Sequence, residues 1–146
     1  MIKKGIILAG GTGTRLSPLT KSVNKQLLPI HDKPMIFYPL SVMMLANIKK
    51  VLMIVNPGQI NNFKSLLGDG SRYGININYK IQDKPRGLPD AFILGKTFIN
   101  KDNVALILGD NFFYGQSLTD KLKKNTKLKK GARIVLHKVQ EPEAFG

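Results

Sequence analysis

KGIILAGGTGTRLSPLT, residues 4–20, joins a short apolar run to a glycine-rich loop. Residues 4–9 are nearly continuous in apolar character, as expected of a strand covered on both faces. Residues 51–55 (VLMIV) and 104–108 (VALIL) read the same way. Residues 75–81 alternate, with Ile75, Ile77, Tyr79 and Ile81 against Asn76, Asn78 and Lys80, the pattern of a half-exposed strand. Residues 133–139 (RIVLHKV) are a further strand candidate. Helical spacing separates these runs. Pro34 fits a first turn leading into residues 35–48. Ile60, Phe63, Leu66 and Leu67 form one apolar stripe, and Ala91, Phe92, Gly95 and Phe98 another. Strand and helix in alternation predict an α/β fold: a Rossmann-like, mostly parallel sheet with helices on both faces. In such sheets ligands bind beyond the carboxyl ends of the strands. That rule selects the loops that begin at Gly10, Asn56, Gln82 and Gly109.

The first loop carries the strongest chemical signal. Gly10, Gly11 and Gly13 permit tight turns and let backbone N–H groups approach a ligand. Successive N–H groups form an anion-binding nest. Arg15 adds a permanent planar charge matched to phosphate oxygens, and Lys25 supplies a second cation ten residues on. No Gly-Lys-Ser/Thr follows, so this is not a Walker A loop, and Leu16 stands where a dinucleotide fingerprint needs its third glycine. A glycine pair alone would read as a bare strand-to-helix turn. Three glycines, an arginine and a lysine after a buried strand point to phosphate. Asp110 follows residues 104–108 at their carboxyl end, where its carboxylate is a hard oxygen ligand suited to Mg²⁺. The plainer alternative is a cap on the next turn.

Composition narrows the classes. The chain has 146 residues, 42% of them hydrophobic, enough for one domain with a core. No apolar run approaches the roughly 20 residues of a membrane-spanning helix. Only four apolar residues, 6–9, precede the glycine cluster, too few for a secretory signal. There are no cysteines, which excludes disulfides, thiolate chemistry and cysteine-bound zinc. His31 and His137 lie far apart and read as surface or strand residues. The expected setting is the cytoplasm. Net charge is +14, from 23 basic and 9 acidic residues. Six lysines fall within residues 121–130, whereas arginines number four. No helix-turn-helix, zinc-finger or RNA-binding motif accompanies them, so a nucleic-acid partner is not expected. KLKKNTKLKK reads as a solvated helix with Leu118, Leu122 and Leu128 turned inward.

GGTGTRLSPLT followed by KQLLPIHDKPMIFYPL resembles the sugar-phosphate nucleotidyltransferases, and within them the thymidylyltransferases that act on glucose 1-phosphate. LLGDGSRYG (66–74), GLPDAFILG (87–95) and LGDNFFYG (108–115) extend the likeness in the same order. The resemblance implies a nucleotidyl transfer from dTTP to glucose 1-phosphate with Mg²⁺ as cofactor. Gly10, Gly11, Gly13, Thr14 and Arg15 match the loop that wraps the triphosphate, and Lys25 matches a phosphate-contacting lysine. Gln26 and Gln82 match glutamines that read the base. An amide can answer the N–H and carbonyl edge shared by thymine and uracil. Gly87 matches a position whose backbone meets the base. Asp110 matches the magnesium-binding aspartate, and Asn111 and Gly146 match sugar-contacting positions. Arg15, Lys25 and Asp110 would carry the catalysis.

The likeness also has departures and an end. Arg86 stands where many relatives carry an acidic residue, Pro89 and Asp90 replace an Ala-Gln pair, and Asn24 replaces a serine. Phe145 replaces a tyrosine before Gly146. The family's later Glu-Glu-Lys-Pro stretch, sugar-phosphate lysine and second magnesium-binding aspartate do not occur in residues 1–146. Residues 1–146 are therefore expected to form the nucleotide-binding part, with the sugar-binding part outside them and one sheet edge left open. The resemblance further implies a homo-oligomer. Two alternatives stay open: a UTP-using relative, and a non-catalytic nucleotide-binding module completed by a second chain.

Overall fold

The computed structural model describes residues 1–11, 13–141 and 143. In chain order its regular elements are β1 (Lys4–Ala9), β2 (Pro29–Ile30), β3 (Lys33–Pro34), α1 (Phe37–Leu45), β4 (Lys50–Val55), α2 (Ile60–Leu67), β5 (Asn76–Ile81), α3 (Asp90–Leu94), α4 (Lys96–Ile99), β6 (Val104–Leu108) and α5 (Leu118–Asn125). Single 3-10 turns at Thr14–Leu16, Leu19–Lys21, Lys25–Leu27 and Ser71–Tyr73 fold the connections.

Four strands form one sheet in the order β5-β4-β1-β6, and every pairing is parallel. The apolar runs of β1 and β4 occupy the centre, covered on both faces, and the alternating run of β5 lies at one edge. β6, read from sequence as covered on both faces, lies at the other edge of the described sheet, and only its Ile107 is buried. Pairing is in simple register: Ile6 faces Leu52 on one side and Leu106 on the other. The pleat then divides the core. Ile7, Ala9, Val51, Met53, Val55, Ile77 and Ile107 pack beneath α1 and α2, with Leu122 of α5 alongside. Ile6, Leu52 and Ile54 pack on the opposite face against Ala91 of α3, with Leu94, Phe98 and Ile99. Helices on both faces and a mostly parallel sheet are as the sequence predicts.

Three local expectations are corrected. Pro34 is not in a helical first turn: it pairs with Pro29 in the small β2–β3 hairpin. Met35 and Ile36 donate their N–H groups to the carbonyls of Leu28 and Gln26, which holds them out of the helix and delays α1 to Phe37. The apolar stripe 91–98 is two short helices rather than one, meeting at Gly95, whose bare α-carbon lies against Ile6 and Leu52. Residues 133–139 are not a strand. Ile134, Val135 and Leu136 are exposed, and this stretch joins no ladder among the described residues. A strand's N–H and C=O groups need a neighbour, and no described strand provides one there.

The lysine-rich segment behaves as a solvated helix. α5 turns Leu118 and Leu122 partly inward and leaves Lys121, Lys123 and Lys124 exposed, though it stops at Asn125. No described helix is long and apolar enough to cross a membrane.

Candidate functional site

The carboxyl ends of β1, β4, β5 and β6 open at one end of the sheet, so the loops that follow them meet. β1 is central. The chain leaves it toward β4 and β5, then returns to β6 on the other flank, which puts the change of direction beside β1.

Two contacts shape the loop after β1. Asn56, the first residue beyond β4, accepts from the Gly11 N–H at 3.1 Å and donates its Nδ2 to the Gly11 carbonyl at 2.8 Å. The loop is thereby pinned at both polar groups of one residue. Gly13 has φ of 60° and ψ of 33°, left-handed backbone that a side chain would strain. Its carbonyl accepts from Thr20 Oγ1 at 2.8 Å, closing the loop onto the turn at Leu19–Lys21. Thr14 and Arg15 lie exposed on the turn between, and Arg15 makes no hydrogen bond or ion pair among the described residues.

The segment 24–28 crosses beneath this loop. Asn24 caps its turn, accepting from the Gln26 N–H at 2.9 Å. Gln26 is 3% exposed. Its Nε2 donates to the Gly10 carbonyl at 3.3 Å, while its Oε1 is buried without a partner among the described residues. A buried acceptor left unmatched is costly, and a ligand donor would satisfy it. Gly109, the first residue past β6, is packed so closely that a Cβ there would stand 3.0 Å from Ala9 Cα and from Gln26 Cγ. A side chain at 109 would push these segments apart.

Lys25 and Asp110 meet across the opening. Lys25 Nζ lies 2.8 Å from Asp110 Oδ2, and each side chain keeps about a third of its exposure (30% and 33%). Screening limits such a pair to roughly 1 kcal/mol or less. Its interest is positional: a cation able to meet a phosphate and a carboxylate able to meet a hard metal ion share one spot past the end of β6. Asn111 follows, half-buried, with its N–H on the Leu108 carbonyl. Phe112 then packs edge-on to Tyr38 of α1 at 4.8 Å, and Tyr114 projects into solvent.

Gln82 continues β5 with its N–H on the Val55 carbonyl at 2.9 Å. It is buried, and its Nε2 donates to Asp90 Oδ2 at 2.8 Å. Arg86 Nη1 stands 3.6 Å from the other Asp90 oxygen. Gly87 sits in an exposed turn with φ of 85°, where a Cβ would approach nothing nearer than Pro89 Cδ at 3.6 Å.

The structure therefore gathers Gly10, Gly11, Lys25, Gln26, Gln82 and Asp110 around one opening. Thr14, Arg15 and Gly87 lie on its exposed rim, and Gly146 falls outside the described residues. Asn56 and Asp90 were not assigned roles from sequence. Asn56 was detectable only as the first residue after a strand, and Asp90 only as a departure from the expected pattern. A cavity of about 600 Å³ at the opposite end of the sheet, walled by Lys3, Lys4, Lys49, Lys50 and Lys101, is remote from all of these.

Comparison with known proteins gives the family. The chain is 57% identical over 143 residues to a glucose-1-phosphate thymidylyltransferase of Neisseria meningitidis, covering 98% of this chain and 50% of that protein. It is 50% identical to one from Mycobacterium tuberculosis, covering 98% of this chain and 49% of the relative. The chain thus spans about half the length of the curated relatives it matches. A candidate glucose-1-phosphate thymidylyltransferase from Bacillus anthracis, crystallised with sucrose, superposes with a TM-score of 0.87 at 38% identity, over 96% of this chain and 56% of that one. The profile of the nucleotidyl transferase family matches residues 4–146, and the chain belongs to that family.

Proposed function

We propose that residues 1–146 form the nucleotide-binding half of an enzyme that transfers a thymidylyl group from dTTP to glucose 1-phosphate, giving dTDP-glucose and pyrophosphate. The observation that carries this reading is the meeting of Lys25 and Asp110, 2.8 Å apart, beside the glycine loop of β1. Names of relatives at 50–57% identity support the substrates.

In that reaction an oxygen of the sugar 1-phosphate attacks the α-phosphorus of dTTP. The new O–P bond forms as the bond to the β-phosphate oxygen breaks, and pyrophosphate leaves in line. Two anions must meet, so alignment and charge neutralisation dominate. The Gly10–Gly13 loop offers backbone N–H groups, while Lys25 and Arg15 offset phosphate charge. Gln26 and Gln82 present buried amides to the base of the nucleotide.

The donor set suits Mg²⁺. No group of three His, Cys, Asp or Glu side chains is placed to cage a metal among the described residues. Asp110 is a lone, partly open carboxylate, and Mg²⁺ is commonly held by one or two carboxylates together with substrate phosphates and water. When bound there, Mg²⁺ would neutralise and orient phosphate oxygens for the displacement. On this reading the enzyme works in the cytoplasm, where nucleoside triphosphates are made, and assembles as a homo-oligomer.

A second reading stays open beside it: residues 1–146, which span about half the length of the curated relatives, act as a nucleotide-binding module that turns over only with a sugar-binding part supplied by a second chain. Isothermal titration of dTTP with Mg²⁺ tests the common core of both readings. Binding that weakens at least about tenfold in Asp110→Ala supports them, and no binding by the folded chain rejects them.

A further inference from the structure

Asp90 is a buried carboxylate with no part in the displacement, and it stands where the family pattern carries a different residue. Its Oδ2 receives Gln82 Nε2 at 2.8 Å, and Arg86 Nη1 faces its Oδ1 at 3.6 Å. A carboxylate only accepts hydrogen bonds. Gln82 must therefore turn its NH₂ toward Asp90 and its carbonyl oxygen the other way. The backbone of Gln82 is tied to Val55, so the amide has no freedom to choose another partner by moving its main chain. The carbonyl oxygen indeed lies against Gly10, 3.0 Å from where a Cβ would stand, and accepts no hydrogen bond among the described residues. Gly10 leaves that oxygen open to a ligand.

From this geometry we infer that Asp90, held by Arg86, is a specificity-determining positioning residue: it locks Gln82 as an acceptor toward the nucleotide, so the site selects pyrimidines that carry a ring N–H. This rests on the nucleotide-binding reading above. A 2,4-dioxopyrimidine offers its N3–H to the Gln82 oxygen. A 4-amino-2-oxopyrimidine has a bare lone pair at N3, which would face the oxygen and be repelled. Discrimination between the two bases is then set by a residue that touches neither.

The Asp90→Asn variant reverses the logic. Its carbonyl oxygen stays with Arg86, its NH₂ turns to Gln82, and Gln82 must flip to present NH₂ to the base. The experiment titrates dTTP, dCTP and inorganic tripolyphosphate into both forms by calorimetry. The wild type is expected to prefer dTTP over dCTP, and Asp90→Asn to shrink that ratio by roughly tenfold or more, with tripolyphosphate affinity unchanged. A merely structural role would lower all three affinities together. An unchanged dTTP-to-dCTP ratio in the variant overturns the inference, as does a wild type that binds tripolyphosphate without preferring dTTP. Failure to bind any of the three ligands rejects the nucleotide-binding reading itself. Should Asp90→Asn not fold, the side-chain amide of wild-type Gln82 decides by NMR. Slow-exchanging Nε2 protons unaffected by dTTP support the lock, and Nε2 protons shifted by direct contact with the base overturn it.

Discussion

Lys25 Nζ and Asp110 Oδ2 stand 2.8 Å apart, so the cation expected for phosphate and the carboxylate expected for magnesium neutralise each other across the site. Each holds the other where the nucleotide would need it, and each must be released to serve a triphosphate. Replacing them has opposite consequences when metal is removed. With Mg²⁺ present, Asp110→Asn is expected to bind dTTP at least about tenfold more weakly than wild type. In EDTA the same variant is expected to bind dTTP as well as wild type or better, because the repelling carboxylate is gone and Lys25 is free. Lys25→Met is expected to weaken binding in both conditions. Calorimetric titrations with and without EDTA check the crossover.

Asn56 holds the Gly11 peptide by its N–H and its carbonyl at once. Asn56→Ala removes two hydrogen bonds, each worth about 1 kcal/mol, and is expected to weaken dTTP binding by about tenfold through a loosened loop. Asn56→Asp keeps the bond from the Gly11 N–H but sets a carboxylate against the Gly11 carbonyl and adds negative charge near phosphate. It should bind more weakly than the alanine variant. The affinity order wild type, Ala, Asp is the quantity to measure. If Asp binds as well as wild type, the two-point pin is not what shapes the loop.

Gly109 has no room for a methyl group: Ala9 Cα and Gln26 Cγ each lie 3.0 Å from its ideal Cβ position. Backbone on one side cannot yield without moving β1. Gly109→Ala is expected to cost about 1–3 kcal/mol of stability and to lower the thermal midpoint by several degrees. It should also weaken nucleotide binding, since the displaced neighbour is Gln26. Thermal unfolding by circular dichroism checks the first effect and calorimetry the second.

Tyr79 is half-buried on the edge strand, its hydroxyl donating to the Gly68 carbonyl at 2.6 Å. Burial, followed by the nearby charge of Asp69 and by Tyr73, pushes its pKa up to about 12. The folded chain therefore keeps this proton at a pH where the unfolded chain, with an ordinary value of 10.0, releases it. The unfolded state then binds fewer protons, so stability falls as pH rises from 10 toward 12 and is unaffected by this group at lower pH. Tyr79→Phe removes that slope while losing the Gly68 hydrogen bond. Urea midpoints at pH 9 and pH 11 should drop more for wild type than for Tyr79→Phe, and equal drops would rule out the assignment.

The parallel sheet was legible in the sequence because burial on both faces leaves no polar position in a strand. Residues 4–9, 51–55 and 104–108 carry that mark, and they became β1, β4 and β6. The alternation of residues 75–81 likewise marked a half-exposed strand, which β5 is, whereas residues 104–108 became an edge strand of the described sheet, with only Ile107 buried. The positions of the glycine loop and Asp110 were legible because each follows closely on an apolar run that became a strand. By contrast, RIVLHKV has the composition of a strand and is not one here. Composition records the preference for extended backbone, but only a neighbouring strand can satisfy its hydrogen bonds. What tertiary structure alone decided is which polar groups point at which. Asp90 lies eight residues from Gln82, Asn56 lies 45 from Gly11, and Lys25 lies 85 from Asp110. No local period relates such pairs, because the order β5-β4-β1-β6 and its register bring them together. Sequence named the residue types able to bind a nucleotide. The fold settled which way their amides and charges face.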